Sequence, residues 1–204
     1  MYRLFKRSFD FCSAFLLLVC ISPIMLVLMF LIRIKLGVPI FFTQTRSTLG
    51  GRDYKLIKFR TMTDIRDEKG KLLPDEQRKT PFGTWLRNTS LDELPELLNI
   101  IKGDMSVIGP RSMPVSYNAY FTEYEKNRFL VRGGLLPPEI LEDNPMPTWD
   151  EQLRWEADYA KNCSLALDWK IFRKTFQLLF HRAQEDYGDY TRDSLINERA
   201  KSNK

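Results

Sequence analysis

The chain is poor in the residues that most enzymes use. It has one histidine, His181, and three cysteines, Cys12, Cys20 and Cys163. No pair of these cysteines has Cys-x-x-Cys spacing, and no histidines match them. That argues against a zinc site or a disulfide framework and fits a reducing compartment. His181 lies at the basic end of a helical stretch, where a surface role fits better than catalysis. No glycine-rich Walker loop is present, which disfavours a nucleoside triphosphatase. No internal repeat is visible. Lysine and arginine outnumber the acids 31 to 26, a net charge of +5. That excess suits anionic lipids or phosphorylated substrates and falls short of a nucleic-acid-binding composition. The length, 204 residues, allows one compact domain plus an anchor.

Phe11 to Ile32 carries no formal charge over about 22 residues, enough to span a bilayer as one helix. Cys12 and Cys20 lie inside this run as small hydrophobes. The run is too long for a cleaved signal peptide and has no small-residue cleavage site after it. Ser22-Pro23 sits near its middle, where proline removes a backbone hydrogen bond and kinks a helix. The Ser22 hydroxyl is a local partner for the carbonyl so freed. Arg3, Lys6 and Arg7 precede the run, and Arg33 and Lys35 follow it, so both ends carry the cytoplasmic signal. A kinked span and a helix that turns back both remain open on these residues alone. In either case the rest of the chain stays beside the membrane.

Beyond Gly37 the apolar density drops. Val38 to Phe42 reads as extended, Gly50-Gly51 as a turn, and Tyr54 to Met62 as a half-buried strand. Tyr54 and Leu56 should face inward, with Lys58 and Arg60 outward or toward a site. Asp64 to Lys79 reads as an exposed, charged connection. Pro81 to Arg87 leads with Trp85 and Arg87 into the central motif. Pro114 to Arg128 reads as a helix with Tyr117, Tyr120, Phe121 and Tyr124 on a core stripe. Arg132 to Pro138 reads as a loop. Trp149 to Lys161 is helical, with Asp150 or Thr148 able to cap it. Leu167 to Arg182 is an amphipathic helix whose aromatic and basic residues suit either a membrane interface or the domain core. Residues after Asp186 read as a frayed polar end.

The most informative span is SLDELPELLNIIKGDMSVIGPR, Ser90 to Arg111. Ser90 and Glu93 have capping-box spacing. Pro95, favoured at a first helical position, would instead start the helix near Leu94 and leave both acids before it. In either register Asp92 lies near helix-end amides that favour its ionised form. An ionised carboxylate can attack phosphorus or hold Mg²⁺. Arg111, after Gly109-Pro110, offers a planar fork for phosphate. The parts favour phosphoryl transfer.

These segments occur in a telling order: the basic start, the apolar run broken at Ser22-Pro23, then Phe42-Thr43-Gln44-Thr45-Arg46 and Lys58-Phe59-Arg60-Thr61-Met62. The central span and Tyr159-Ala160-Lys161-Asn162 follow. Together they resemble the small monotopic phosphoglycosyl transferases, also called bacterial sugar transferases, from the start of the chain to about Arg182. The resemblance implies an α/β mixed, mostly helical fold. A re-entrant helix-break-helix anchor (1–36) would precede a compact cytoplasmic catalytic domain (37–185) with a small sheet and amphipathic interfacial helices. A polar tail (186–204) would follow. It also implies residence on the cytoplasmic face of the bacterial inner membrane. The reaction implied is transfer of sugar-1-phosphate from a nucleotide diphosphate sugar, by family precedent a UDP-sugar, to polyprenyl (undecaprenyl) phosphate, with release of UMP. This is the first membrane step of bacterial glycan assembly, and later glycosyltransferases would be partners.

By the same resemblance Asp92 would be the nucleophile and a Mg²⁺ ligand, and Glu93 its acidic partner. Arg111 would bind phosphate, Lys58 and Arg60 would line or support the site, and Arg87 and Arg132 would join in substrate binding. Two departures stand out. Ser112 stands where many members have proline, and Arg132-Gly133-Gly134-Leu135-Leu136-Pro137-Pro138-Glu139 replaces Arg-Pro-Gly-Ile-Thr-Gly. The segment from Arg132 to Asn144 is therefore expected to help select the sugar. The rival reading is a catalytically silent membrane scaffold that binds polyprenyl phosphate or glycosyltransferases. A further variant keeps the reaction but has the lipid phosphate attack the donor directly.

Overall fold

The computed structural model describes residues 2–142, 144, 146–181 and 193–202. A long helix, α1 (Tyr2–Lys35), is followed by a hairpin of β1 (Phe41–Ser47) and β2 (Asp53–Phe59). Then come α2 (Asp75–Arg78), α3 (Pro81–Asn88), α4 (Glu96–Lys102), β3 (Ser106–Ile108) and β4 (Gly134–Leu136). Three further helices close the chain: α5 (Trp149–Asn162), α6 (Leu165–His181) and α7 (Leu195–Ser202). The fold is mostly helical with small sheets, as expected. Two compact units interleave in sequence. One holds Met1–Asp10, Thr45–Tyr54 and Gly103–Lys204, and the other holds Phe11–Gln44 and Lys55–Lys102.

In the second unit α1 runs through Pro23 without interruption. Proline leaves the carbonyl four residues back without its donor. That carbonyl belongs to Val19, and the Ser22 hydroxyl donates to it at 2.8 Å. Met25, Leu28, Ile32 and Leu36, spaced three and four apart, form one stripe that packs on Phe59 of β2 and Leu86 of α3. Ile24, Leu26, Val27, Phe30 and Ile34 remain exposed. This helix is long and apolar enough to cross a membrane, and only 17% of its most apolar window is buried in protein. Asn99 of α4 fastens that helix to β2, accepting from the Ile57 amide at 3.0 Å and donating to the Lys55 carbonyl at 2.8 Å.

In the first unit β3 and β4 pair in parallel, Ser106 opposite Gly134 and Ile108 opposite Leu136. The expected loop at 132–138 thus contains a strand. Two adjacent glycines read as a turn, but here they permit close approach. A Cβ on Gly134 would lie 2.0 Å from the Gly109 nitrogen. The expected helix from Pro114 to Arg128 is also corrected, to two 3₁₀ segments, Val115–Tyr120 and Glu125–Leu130. Thr122 and Glu125 bond each other's backbone amides at 3.3 and 2.7 Å, a reciprocal cap that restarts the chain there. Phe121 is buried, whereas Tyr120 and Tyr124 are exposed.

α5 opens with a full capping box between Thr148 and Glu151 and packs on the 125–130 segment. On α6 Ile171 is fully buried, while Leu165, Trp169, Phe172 and Phe176 form an exposed stripe. That helix therefore docks on the core along one face and leaves an aromatic face uncovered. The His181 side chain and residues 182–192 lie outside the described residues. The frayed end expected after Asp186 is corrected for 195–202. These residues form a helix because Leu195 buries itself against Met113, Phe121 and Leu153, and Arg199 pairs with Glu125 at 2.6 Å.

Candidate active site

The acid pair sits on a short 3₁₀ turn, Leu91–Glu93, between α3 and α4. Leu91 and Leu94, three apart, both pack on the core of their unit and so fix the turn. Ser90 makes no side-chain cap and adopts a left-handed conformation, φ 55°. The capping-box reading of Ser90 and Glu93 is thus corrected, and the true box is at Thr148. A non-glycine residue at positive φ is uncommon, and it re-aims the chain just ahead of the two acids.

Asp92 is buried. Glu93 accepts from Lys58 Nζ at 2.6 Å, and the same ammonium pairs with Glu96 at 3.2 Å. Lys58 comes from β2 and Arg87 from α3, where Arg87 Nε donates to Thr61 Oγ1 at 2.8 Å. Burial pushes the Asp92 carboxyl above its usual range. Lys58 pulls it down, Glu93 raises it and Arg87 lowers it. The helix-end argument anticipated the opposite direction; desolvation is the larger effect here. The turn therefore holds a partly desolvated carboxylate between one acid and two bases.

Arg60 plays a supporting part. Its guanidinium donates to the carbonyls of Met62 at 2.7 Å and Val38, and pairs with Asp64 at 3.1 Å. It ties the chain after α1 to the end of β2. The structure thus gathers Lys58, Arg87, Asp92 and Glu93 in one unit, and Arg60 of the same unit bonds Val38, Met62 and Asp64. Glu96 and Asn99, which the sequence reading passed over, belong to the same support. Their signal was visible as polar residues inside the apolar stretch that became α4.

Arg111 and Arg132 belong to the other unit. The Arg111 amide donates to Glu156 Oε1 at 3.1 Å, and its carbonyl accepts from Arg128. Arg128 and Glu156, both buried, form an ion pair at 2.7 Å. This buried pair escaped the sequence reading because its members lie on separate segments. Arg132 Nε donates to the Gly103 carbonyl at 2.8 Å. Burial, followed by Arg7, lowers the Arg132 pKa.

The profile of the family described as bacterial sugar transferase matches residues 1–182. The chain belongs to that family. Sugar transferase EpsL of Bacillus subtilis (strain 168) is 43% identical over 166 residues, covering 81% of this chain and 82% of EpsL. The UDP-glucose:undecaprenyl-phosphate glucose-1-phosphate transferase of Escherichia coli (strain K12) is 30% identical over 185 residues. The UDP-N-acetylgalactosamine-undecaprenyl-phosphate N-acetylgalactosaminephosphotransferase of Aeromonas hydrophila is 32% identical over 186 residues. The matches cover 83% and 87% of this sugar transferase chain, which spans only 39% and 44% of those two longer proteins.

Proposed function

We propose that this chain transfers sugar-1-phosphate from a UDP-sugar to undecaprenyl phosphate, giving undecaprenyl diphosphate sugar and UMP. The observation that carries the reading is the buried Asp92, set between Glu93, Lys58 and Arg87 in a chain with an exposed apolar helix. In this reaction an Asp92 carboxylate oxygen attacks the β-phosphorus, and the bond from that phosphorus to the UMP oxygen breaks. The result is an acyl phosphate carrying the sugar. An oxygen of the lipid phosphate then attacks the same phosphorus, forming the diphosphate and restoring the carboxylate. Glu93 keeps Lys58 oriented beside Asp92, and Arg87 offers positive charge to phosphate oxygens.

Among the described residues no group of three or more His, Cys, Asp or Glu side chains could hold a metal ion. An Asp92 carboxylate acting with substrate phosphates suits Mg²⁺, which keeps several waters and needs one or two carboxylates. Bound there, Mg²⁺ would neutralise charge on the diphosphate.

The anchor reading is re-entrant and monotopic. Tyr2 and Lys6 of α1 bond Asp168 of α6, and Asp10 accepts from Ser106 Oγ at 2.7 Å and the Val107 amide at 3.1 Å. The other end of α1 packs through Ile32 and Leu36 on Phe59 and Leu86. The start of α1 is thus bonded to polar groups and its end packs on an apolar core, and among the described residues no second helix is long and apolar enough to cross a bilayer. A bend at Ser22-Pro23 returns α1 to the cytoplasmic face of the inner membrane. The aromatic face of α6 lies at the interface.

The test is incubation of the full chain with radiolabelled UDP-sugars, Mg²⁺ and undecaprenyl phosphate, comparing wild type with Asp92→Asn. Wild type should release UMP and label the lipid, and Asp92→Asn should lose roughly 10³-fold or more. Omitting the lipid should leave a phosphosugar adduct on Asp92 detectable by mass. Equal transfer by both proteins would refute the nucleophile and favour direct attack. No transfer with any sugar would favour the scaffold.

A further inference from the structure

Asp92 is buried, yet the two cations that favour its ionised form are bonded to other groups. Lys58 Nζ pairs with Glu93 Oε1 at 2.6 Å and with Glu96 Oε1 at 3.2 Å. Arg87 Nε donates to Thr61 Oγ1 at 2.8 Å. Among the described residues neither cation is in ion-pair contact with Asp92. Buried charges are ordinarily paired. A carboxylate left beside two cations that bond elsewhere therefore calls for a cause.

Glu96, which the reaction chemistry above does not use, supplies one. Its side chain is 5% exposed against 24% for Glu93, so it is the acid that more needs a cation. It is also the better fixed of the two. Asn99 lies three residues along α4, on the same helix face. That asparagine accepts from the Ile57 amide at 3.0 Å and donates to the Lys55 carbonyl at 2.8 Å. α4 is thereby clamped to β2 just before Lys58, with the Glu96 carboxylate set against the ammonium. Glu93, by contrast, shares its 3₁₀ turn with Asp92 and moves with it. Of the two acids on Lys58, only Glu96 pulls from a different element.

We propose that Glu96 is a positioning residue that holds Lys58 off Asp92, so that the buried carboxylate meets the donor phosphorus with no ion pair to break first. The inference rests on the reading that Asp92 is the nucleophile. An ammonium bonded directly to a carboxylate occupies the oxygen lone pair that attack requires, and that bond is of the strong, charge-assisted kind. Held by Glu93 and Glu96 instead, Lys58 still favours the ionised carboxylate through space. Its charge serves the site while the attacking oxygen stays open. Lys58, Asp92, Glu93 and Glu96 all belong to one compact unit.

The experiment has a structural arm and a kinetic arm, both on the full chain in nanodiscs. In an experimental structure of Glu96→Gln, Lys58 Nζ should lie about 3 Å from an Asp92 carboxylate oxygen. A Lys58 that stays apart from Asp92 there would overturn the proposal. In UMP release, Glu96→Gln should lower kcat about tenfold or more, as expected of one charge-assisted bond to be broken before attack, with KM changed by less than about twofold. Glu96→Asp keeps the charge and should retain at least about a third of the wild-type kcat. A loss equal to that of Glu96→Gln would assign the effect to packing and overturn the proposal. Lys58→Met decides the route. Added to Lys58→Met, Glu96→Gln should change kcat by less than about twofold, because the ammonium it positions is gone. The full loss on that background would mean that Glu96 acts on the fold or directly on Asp92, which also overturns the proposal. Thermal melts establish that each variant is folded. Absence of UMP release from wild type with every UDP-sugar sinks the nucleophile reading itself, whereas the place of Lys58 in the Glu96→Gln structure still decides what Glu96 holds.

Discussion

Asp92 experiences opposing local forces, and their signs can be read kinetically. Burial raises its pKa, Lys58 opposes that rise, and Glu93 adds to it. As the proposed nucleophile, Asp92 must be ionised, so on that reading kcat/KM should fall on the acid side as it gains a proton. Lys58→Met removes a charge that favours the ionised form, so the acid limb should move to higher pH. Glu93→Gln removes one that disfavours it, so the limb should move to lower pH. A pH series of UMP release for the two variants checks this. Shifts in the same direction would mean that Lys58 and Glu93 act on Asp92 through geometry instead of charge. Local patterning showed the acid pair in the sequence, whereas its pairing with Lys58 is a long-range contact of the fold. It could not show the sign of the Asp92 shift, because burial is a property of the fold around Leu91 and Leu94.

The contact between α3 and the residues just after β2 sets where Arg87 stands relative to Thr61, and one glycine makes it possible. A Cβ on Gly83 would lie 1.8 Å from the Thr61 carbonyl oxygen, and the Gly83 amide donates to the Thr80 cap at 3.0 Å. Gly83→Ala should therefore destabilise by at least the roughly 1–3 kcal/mol typical of overpacking. For a chain of this size each kcal/mol lowers the melting midpoint by about 2–4 °C. Differential scanning calorimetry checks the figure, and an unchanged midpoint would show that α3 can slide without cost. Elements with strong periodicity were legible in advance. The hairpin's buried Tyr54 and Leu56, the capped start of α5 and the amphipathic α6 all follow from pattern. The misreadings share a cause. Gly133-Gly134 looked like a turn because nothing nearby in sequence reveals Gly109 as its neighbour, and the helix expected after Pro114 is replaced by two 3₁₀ segments on either side of the reciprocal Thr122–Glu125 bonds.

For the whole chain, the proposed membrane attachment rests on α1, whose 34 residues would extend about 50 Å if straight, more than the roughly 30 Å hydrocarbon core needs. Its polar start is bonded to β3 and α6 through Asp10 and Asp168, and its end to Phe59 and Leu86. A straight span would place Lys6 and Lys35 on opposite faces. To keep its partner Asp168 at 2.5 Å, Lys6 would then need the 103–181 segment to be carried across the membrane. Among the described residues nothing apolar enough exists to carry it. The proposed bend at Pro23 would avoid that crossing, and the Ser22 hydroxyl already bonds the Val19 carbonyl that proline leaves without a donor. With Cys12, Cys20 and Cys163 replaced by serine, single cysteines at Arg3 and Lys35 should both react with an impermeant maleimide in inverted inner-membrane vesicles. Neither should react in intact spheroplasts. Labelling of the two positions from opposite faces would establish a spanning helix and remove the re-entrant reading. Pro23→Ala separates the cause from the outcome: if the bend depends on the missing hydrogen bond, that variant should shift part of the Arg3 site to the far face.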